Sequence, residues 1–178
     1  MPRYVALLGS INVGGNRLKM DELKSALEEH GFANVATVVA SGNVLFDHPR
    51  AADAKLEDEI AGVVKDRFDI ATFAAVRTKA ELEAALKESP YAGKGEDKFV
   101  HVHFLAGQPS KAQFEQLIAD HAGRGAEKLA PGTRALHIDF VDGVGTSKLT
   151  STFIEKRLGC KGTARNVRSI KRIIEKLG

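Results

Sequence analysis

Paired glycines flanked by asparagines and followed by an arginine are the first residues in this chain whose types suggest chemistry: Asn12-Val13-Gly14-Gly15-Asn16-Arg17. Adjacent glycines let backbone N–H groups turn inward as an anion-receiving nest, and the free amides of a following helix add partial positive charge. Arg17 and Lys19 supply full charges. A second polar turn, Ser41-Gly42-Asn43, lies further along. Asn12, Gly14, Gly15, Asn16, Arg17, Ser41 and Asn43 form the candidate anion-binding set, suited to a phosphate or a carboxylate. The same residues also make ordinary turns, glycine supplying φ > 0 and asparagine bonding its own backbone. Both readings stand on sequence alone.

Histidines supply a second candidate. Lys98-Phe99-Val100-His101-Val102-His103-Phe104 alternates, with His101 and His103 on one face of a strand, and Leu136-His137-Ile138-Asp139-Phe140 alternates in the same way. If the two strands are neighbours, His101, His103, His137 and Asp139 are expected to share the helix-free face of a sheet, where they could ligate zinc or another transition metal. Ordinary surface or interface histidines have the same pattern. A third candidate is the basic set Arg165, Arg168, Lys171 and Arg172, beside an apolar stripe of Val167, Ile170, Ile174 and Leu177 on the last helix. It could touch a phosphate backbone without reading sequence. Gly143-Val144-Gly145-Thr146-Ser147-Lys148 is not a P-loop, because Ser precedes Lys and the glycine spacing is wrong. Thr146 or Ser147 reads instead as the cap of the next helix.

The elements that must position these residues follow from periodicity. Arg3 to Ile11 reads as a strand, Met20 to Leu27 as a helix stopped by Gly31, and Asn34 to Ala40 with Asn43 to Asp47 as a hairpin. Ala51 to Arg67 is helical, Ala71 to Arg77 a strand and Lys79 to Glu88 a short helix. Ser89 to Asp97, with Pro90, Gly93 and Gly95, is the credible linker. The same order then returns: strand Lys98 to Ala106, helix Ser110 to Ala122, strands Glu127 to Ala130 and Arg134 to Val141 around Pro131-Gly132-Thr133, helix Ser147 to Leu158, a short strand Cys160 to Ala164, and helix Asn166 to Leu177. The pattern predicts an α+β fold of duplicated ferredoxin-like (βαββαβ) halves with antiparallel-rich sheets, residues 1–92 and 93–178. In such a unit the loop after the first strand and the hairpin between the second and third lie on the same edge of the sheet. The two halves of the anion set are therefore expected to meet.

Composition bounds the function classes. The chain has 178 residues, 43% of them hydrophobic, and no run long enough to span a bilayer or serve as a secretory signal. Cys160 is the only cysteine, which excludes an internal disulfide and suits a reducing cytoplasm. Aromatic residues are 6% with no Trp, which counts against nucleic-acid binding by base stacking. The net charge of +3 is uneven: from Ser147 to Gly178 nine Lys and Arg face only Glu155 and Glu175, a net +7, leaving −4 on the rest. A basic end on an acidic body points to an anionic partner, although amphipathic helices also carry such charges on their wet faces.

Tyr4-Val5-Ala6-Leu7-Leu8, Ile11-Asn12-Val13-Gly14-Gly15, Ser41-Gly42-Asn43-Val44, Val76-Arg77-Thr78 and Gly145-Thr146-Ser147-Lys148-Leu149 resemble the domain-of-unknown-function 1697 family. The resemblance implies a duplicated ferredoxin-like arrangement and brings no established activity. Two departures stand out: Gly9-Ser10 where family members usually place Arg-Gly, and Gly162-Thr163-Ala164-Arg165-Asn166-Val167-Arg168-Ser169 where they usually carry a Trp-containing run. The expected function is a cytosolic binding module for a phosphate-bearing ligand, a nucleotide or a nucleic-acid backbone, with no cofactor and no membrane. One alternative is an acylphosphatase-like phosphohydrolase, by analogy with enzymes that set an arginine and an asparagine around an acyl phosphate, with Arg17 holding the phosphate and Asn43 orienting water. Another is a structural or protein-interaction role.

Overall fold

Along Arg3–Leu8 the residues Tyr4, Ala6 and Leu8 alternate with Val5 and Leu7, and both sets are buried. A strand apolar on both faces belongs in the middle of a covered sheet, and the pairing puts it there. The structure, a computed structural model, describes residues 1–9, 18–38, 42–145 and 147–178. The elements are β1 (Arg3–Leu8), α1 (Met20–Glu29), β2 (Ala33–Thr37), β3 (Asn43–Asp47), α2 (Ala54–Phe68), β4 (Ala74–Arg77), α3 (Lys79–Glu88), β5 (Val100–Leu105), α4 (Lys111–His121), β6 (Lys128–Gly132), β7 (Ala135–Asp139), α5 (Ser151–Leu158), β8 (Gly162–Asn166) and α6 (Val167–Leu177). Two four-stranded antiparallel sheets result, ordered β2-β3-β1-β4 and β6-β7-β5-β8. The order of elements and the order of strands repeat, so the chain is a duplicated ferredoxin-like α+β protein.

The chain divides into two units, Met1–Leu82 with Lys171–Gly178, and Glu83–Ile170; the polar stretch around Gly93 lies inside the second. In the first, Tyr4, Ala6, Val44, Phe46 and Val76 pack under Leu23 and Leu27 of α1 and Leu56 and Ile60 of α2. In the second, Leu105, Leu136 and Ile138 pack under Phe114 and Leu117 of α4 and Ile154 and Leu158 of α5.

Local chemistry sets the boundaries. Asp53 caps α2 by accepting from Leu56 N–H at 2.9 Å, and Ser110 with Gln113 forms a capping box at the start of α4. Several expected boundaries move, and three of them show a side chain or turn that differs from the expectation. The cap of α5 is Thr150, whose side chain accepts from Phe153 N–H at 3.2 Å, not Ser147. β6 runs through Pro131 to Gly132, and the turn is Thr133-Arg134, with Arg134 at φ 47°. Proline is tolerated because β6 is an edge strand. The short eighth strand starts at Gly162 and includes Arg165.

Candidate functional site

The carboxyl end of β1 and the start of β3 meet at one rim of the first sheet. Leu7 pairs with Asn43, Leu8 N–H donates to the Gly42 carbonyl at 2.8 Å, and Gly9 N–H donates to the Phe73 carbonyl at 2.8 Å. The Thr72 hydroxyl donates to the Gly9 carbonyl, so the loop before β4 joins the same rim. Thr72 gave no signal in the sequence beyond a polar residue before a strand. Asn12, Gly14, Gly15, Asn16, Arg17 and Ser41 lie outside the described residues. Lys19 is exposed at the N-cap of α1 and makes no side-chain cap there. Asn43 corrects the expectation of a ligand-facing amide. It is 2% exposed, and its Nδ2 donates to the Val38 carbonyl at 3.2 Å, which holds the two arms of the hairpin together.

The histidine cluster does not form. Antiparallel pairing sets Val100 opposite Asp139, His101 opposite Ile138, Val102 opposite His137 and His103 opposite Leu136. Residues directly opposite share a sheet face, so His101 and His103 lie with Leu136 and Ile138 on the side packed by α4 and α5. His137 and Asp139 lie on the other side with Val100 and Val102. Each strand's alternation was legible, but the register between strands, which decides whether two sets coincide, is not a property of either strand alone. Among the described residues no group of three or more His, Cys, Asp or Glu side chains could hold a metal ion. His101 sets its Nδ1 3.1 Å from the Phe99 carbonyl and its ring edge-on to Phe140. Burial, with His101 and Arg165 nearby, pushes the His103 pKa down to about 4. Asp139 accepts from Val141 N–H at 2.9 Å.

The basic set also separates. Arg165 sits on β8, where its Nη1 donates to Thr163 Oγ1 at 2.7 Å and to the Ala164 carbonyl at 2.9 Å, and burial lowers its pKa to about 10. Arg168, Lys171 and Arg172 are exposed on α6. The buried stripe of that helix is Val167, Ile170 and Ile173; Ile174 and Leu177 are only half-buried.

Two arrangements in the second unit escaped the sequence reading. At the rim where β5 ends and β7 begins, the Glu88 carboxylate accepts three hydrogen bonds: from Thr133 N–H at 2.9 Å, from the Thr133 hydroxyl at 2.7 Å and from His137 Nε2 at 2.8 Å. Gln108 ties the same turn, accepting from Arg134 N–H at 2.7 Å and donating to the Gly132 carbonyl at 3.3 Å. A cavity of about 420 Å³ opens beside them. Burial acts to raise the Glu88 pKa, but the donors from His137 and Thr133 outweigh it and hold the carboxyl below its ordinary value. Elsewhere, the Ser147 hydroxyl donates to Glu127 Oε1 at 2.7 Å, while Glu127 Oε2 stands 3.9 Å from His121 Nε2. A nucleophile needs the histidine between serine and acid; here the acid is in the middle. Ser147 also accepts from Leu149 N–H at 3.0 Å, so it shapes the approach to α5.

Residues 1–137 match a family described as a protein of unknown function, DUF1697. The chain belongs to this family. The match stops short of Gly145 to Leu149, so that resemblance lies beyond the matched residues of the DUF1697 chain. Among solved structures, the conserved bacterial protein SP0830 from Streptococcus pneumoniae is similar over 99% of this chain and 98% of its own, with 21% sequence identity and a TM-score of 0.74. At that identity the likeness is one of fold. No curated protein matches the sequence. Among the described residues no helix is long and apolar enough to cross a membrane.

Proposed function

We propose that this DUF1697 protein is a cytoplasmic binding module for a phosphate-bearing ligand, a nucleotide or a nucleic-acid backbone, received at the rim where β1 ends and β3 begins. One observation carries the reading: Leu8 N–H bonds the Gly42 carbonyl at 2.8 Å. The described residues that precede the glycine segment and follow the Ser41 turn, Gly9 and Gly42, therefore lie at one end of the sheet. The chemistry of those segments favours an anion, with glycines that free backbone amides, Arg17 as a fork matched to phosphate, and Lys19 at the helix start. The acylphosphatase-like alternative loses support, because the Asn43 amide that would orient water is buried and bonded to Val38.

The test is thermal denaturation with inorganic phosphate, ADP and a short oligonucleotide. A ligand that binds the native state raises the melting temperature by mass action. At least one phosphate probe is expected to do so, and Arg17→Ala is expected to abolish the shift while leaving the unliganded melting temperature close to that of the parent. No shift with any probe, or an undiminished shift in the variant, overturns the reading and leaves a structural or protein-interaction role. Hydrolysis of acetyl phosphate by the parent protein would restore the enzyme reading.

A further inference from the structure

The duplication repeats the rim as well as the fold. What the ends of β1 and β3 do in the first unit, the ends of β5 and β7 do in the second: Leu105 N–H donates to the Arg134 carbonyl at 2.9 Å, the counterpart of the Leu8 to Gly42 bond. The second rim offers a carboxylate rather than a glycine-rich turn. Where the first gathers Arg17 and Lys19 in sequence, the second presents Glu88 beside the cavity of about 420 Å³, a volume suited to a small molecule. We infer that this second rim binds a small organic cation, a primary ammonium on an apolar stem, with the Glu88 carboxylate as its counter-charge.

Glu88 is held as a recognition group would be. A carboxylate offers about four lone-pair sites. Thr133 N–H and His137 Nε2 take both on Oε1, and the Thr133 hydroxyl takes one on Oε2. One remains on Oε2, and Glu88 lines the cavity. The His137 side chain is 0% exposed, so its bond fixes the carboxylate from a sealed position. The packing is close enough to require glycine at position 132. A Cβ there would stand 2.6 Å from Glu88 Oε1 and 2.7 Å from His137 Nε2. The lowered pKa of Glu88 keeps it ionised at neutral pH.

The rest of the cavity selects the kind of cation. Pro109, Phe114 and Pro131 give it apolar walls that suit a hydrocarbon stem. Lys111 points to solvent, 91% exposed, and pairs with Glu115 at 3.8 Å, so the pair leaves the net charge at the mouth to Glu88. A hard metal ion wants six or more oxygen ligands. Among the described residues Glu88 and Glu115 are the only carboxylates in the lining, and the Gln108 carbonyl already accepts from Arg134 N–H.

The experiment is a backbone-amide chemical-shift titration of the full chain with n-pentylamine, using 1-pentanol and pentanoate as matched neutral and anionic probes. Saturable shifts at Gln108, Gly132 and Thr133 are expected with the amine alone. Glu88→Gln keeps the shape of the side chain and is expected to weaken amine binding by about tenfold or more, the effect of losing one charge-assisted hydrogen bond. Glu83→Gln, an exposed carboxylate of α3 outside the lining, is expected to leave it within about twofold. Arg17→Ala is expected to leave it unchanged, which separates this site from the anion rim. Absence of saturable shifts with the amine, equal shifts with 1-pentanol, or undiminished binding in Glu88→Gln overturns the inference. The amine-against-alcohol comparison decides on the parent protein alone, should Glu88→Gln fail to fold.

Discussion

Among the described residues neither ring nitrogen of the buried His103 has a hydrogen-bond partner; the ring lies on a strand face shared with Leu136 and packs against Gly162. A polar group buried this way is costly to charge. Its folded pKa of about 4 lies below the ordinary 6.5, so on acidification the unfolded chain takes up the proton first. The contribution is therefore present in full above pH 6.5, falls between pH 6.5 and about 4 with a slope approaching 1.4 kcal/mol per pH unit, and is lost below that. Urea denaturation at a series of pH values is expected to show the slope in the parent and a shallower one in His103→Leu. That variant is also expected to be as stable as the parent at pH 7, because an apolar side chain leaves no unsatisfied nitrogen. An unchanged acid slope would remove His103 as its source. At this scale the sequence identified the right residue types and the wrong company. Alternation marked His103 and His137 as exceptional, but their neighbours depend on a pairing register that neither strand encodes. Glu88, which meets His137 across 49 positions, had no local signal at all.

At the scale of elements, β4 is a buried edge strand, and the backbone groups on its outer side need a partner. Glu57 of α2 provides it: Oε2 accepts from Val76 N–H at 2.8 Å and from Arg77 Nη1 at 3.2 Å, with the two side chains 7% and 4% exposed. Arg77 Nη1 also donates to the Val76 carbonyl at 3.0 Å. The pair joins a helix to a sheet edge, and removing one member takes a buried charge-assisted bond from the other. Glu57→Ala is expected to cost about 3 kcal/mol in urea denaturation, whereas Glu57→Met with Arg77→Met is expected to recover most of that loss. A single-variant cost under about 1 kcal/mol would show that the pair is well solvated. Helices and central strands were legible because their apolar residues repeat at 3.6 or 2 positions. The misplaced boundaries sit where a side chain overrides the pattern: Thr150 rather than Ser147 caps α5, and Pro131 stays in a strand because its edge needs no N–H. The buried Glu57 was invisible, since an acid near a helix start is ordinarily solvated.

At the scale of the molecule, the duplication was readable because the order strand, helix, hairpin, helix, strand, helix recurs without any repeat of residue identity. The charge imbalance was readable as well, but a charge count does not say which cations reach solvent. Of the nine Lys and Arg after residue 146, Arg157 and Arg165 turn inward. Arg157 bonds Asp120 at 2.9 Å and stacks on Phe153, and Arg165 bonds its own strand. Arg168 stays exposed. These two arginines, three positions apart, therefore predict opposite outcomes for binding to a nucleic-acid backbone. Affinity for a single-stranded oligonucleotide is expected to fall as salt rises, with a slope set by the number of phosphates neutralised. Arg168→Ala is expected to lower that slope by about 0.7, the loss of one phosphate contact on a single strand, with stability nearly unchanged. Arg165→Ala is expected to leave the slope as it was and lower stability by about 1–3 kcal/mol, through loss of packing and of donors to Thr163 and Ala164. Fluorescence anisotropy at a series of salt concentrations, read beside urea denaturation of the same variants, separates the two. Equal slope changes would mean that Arg165 reaches the phosphates, and no binding at low salt would make the basic end a solvated helix face.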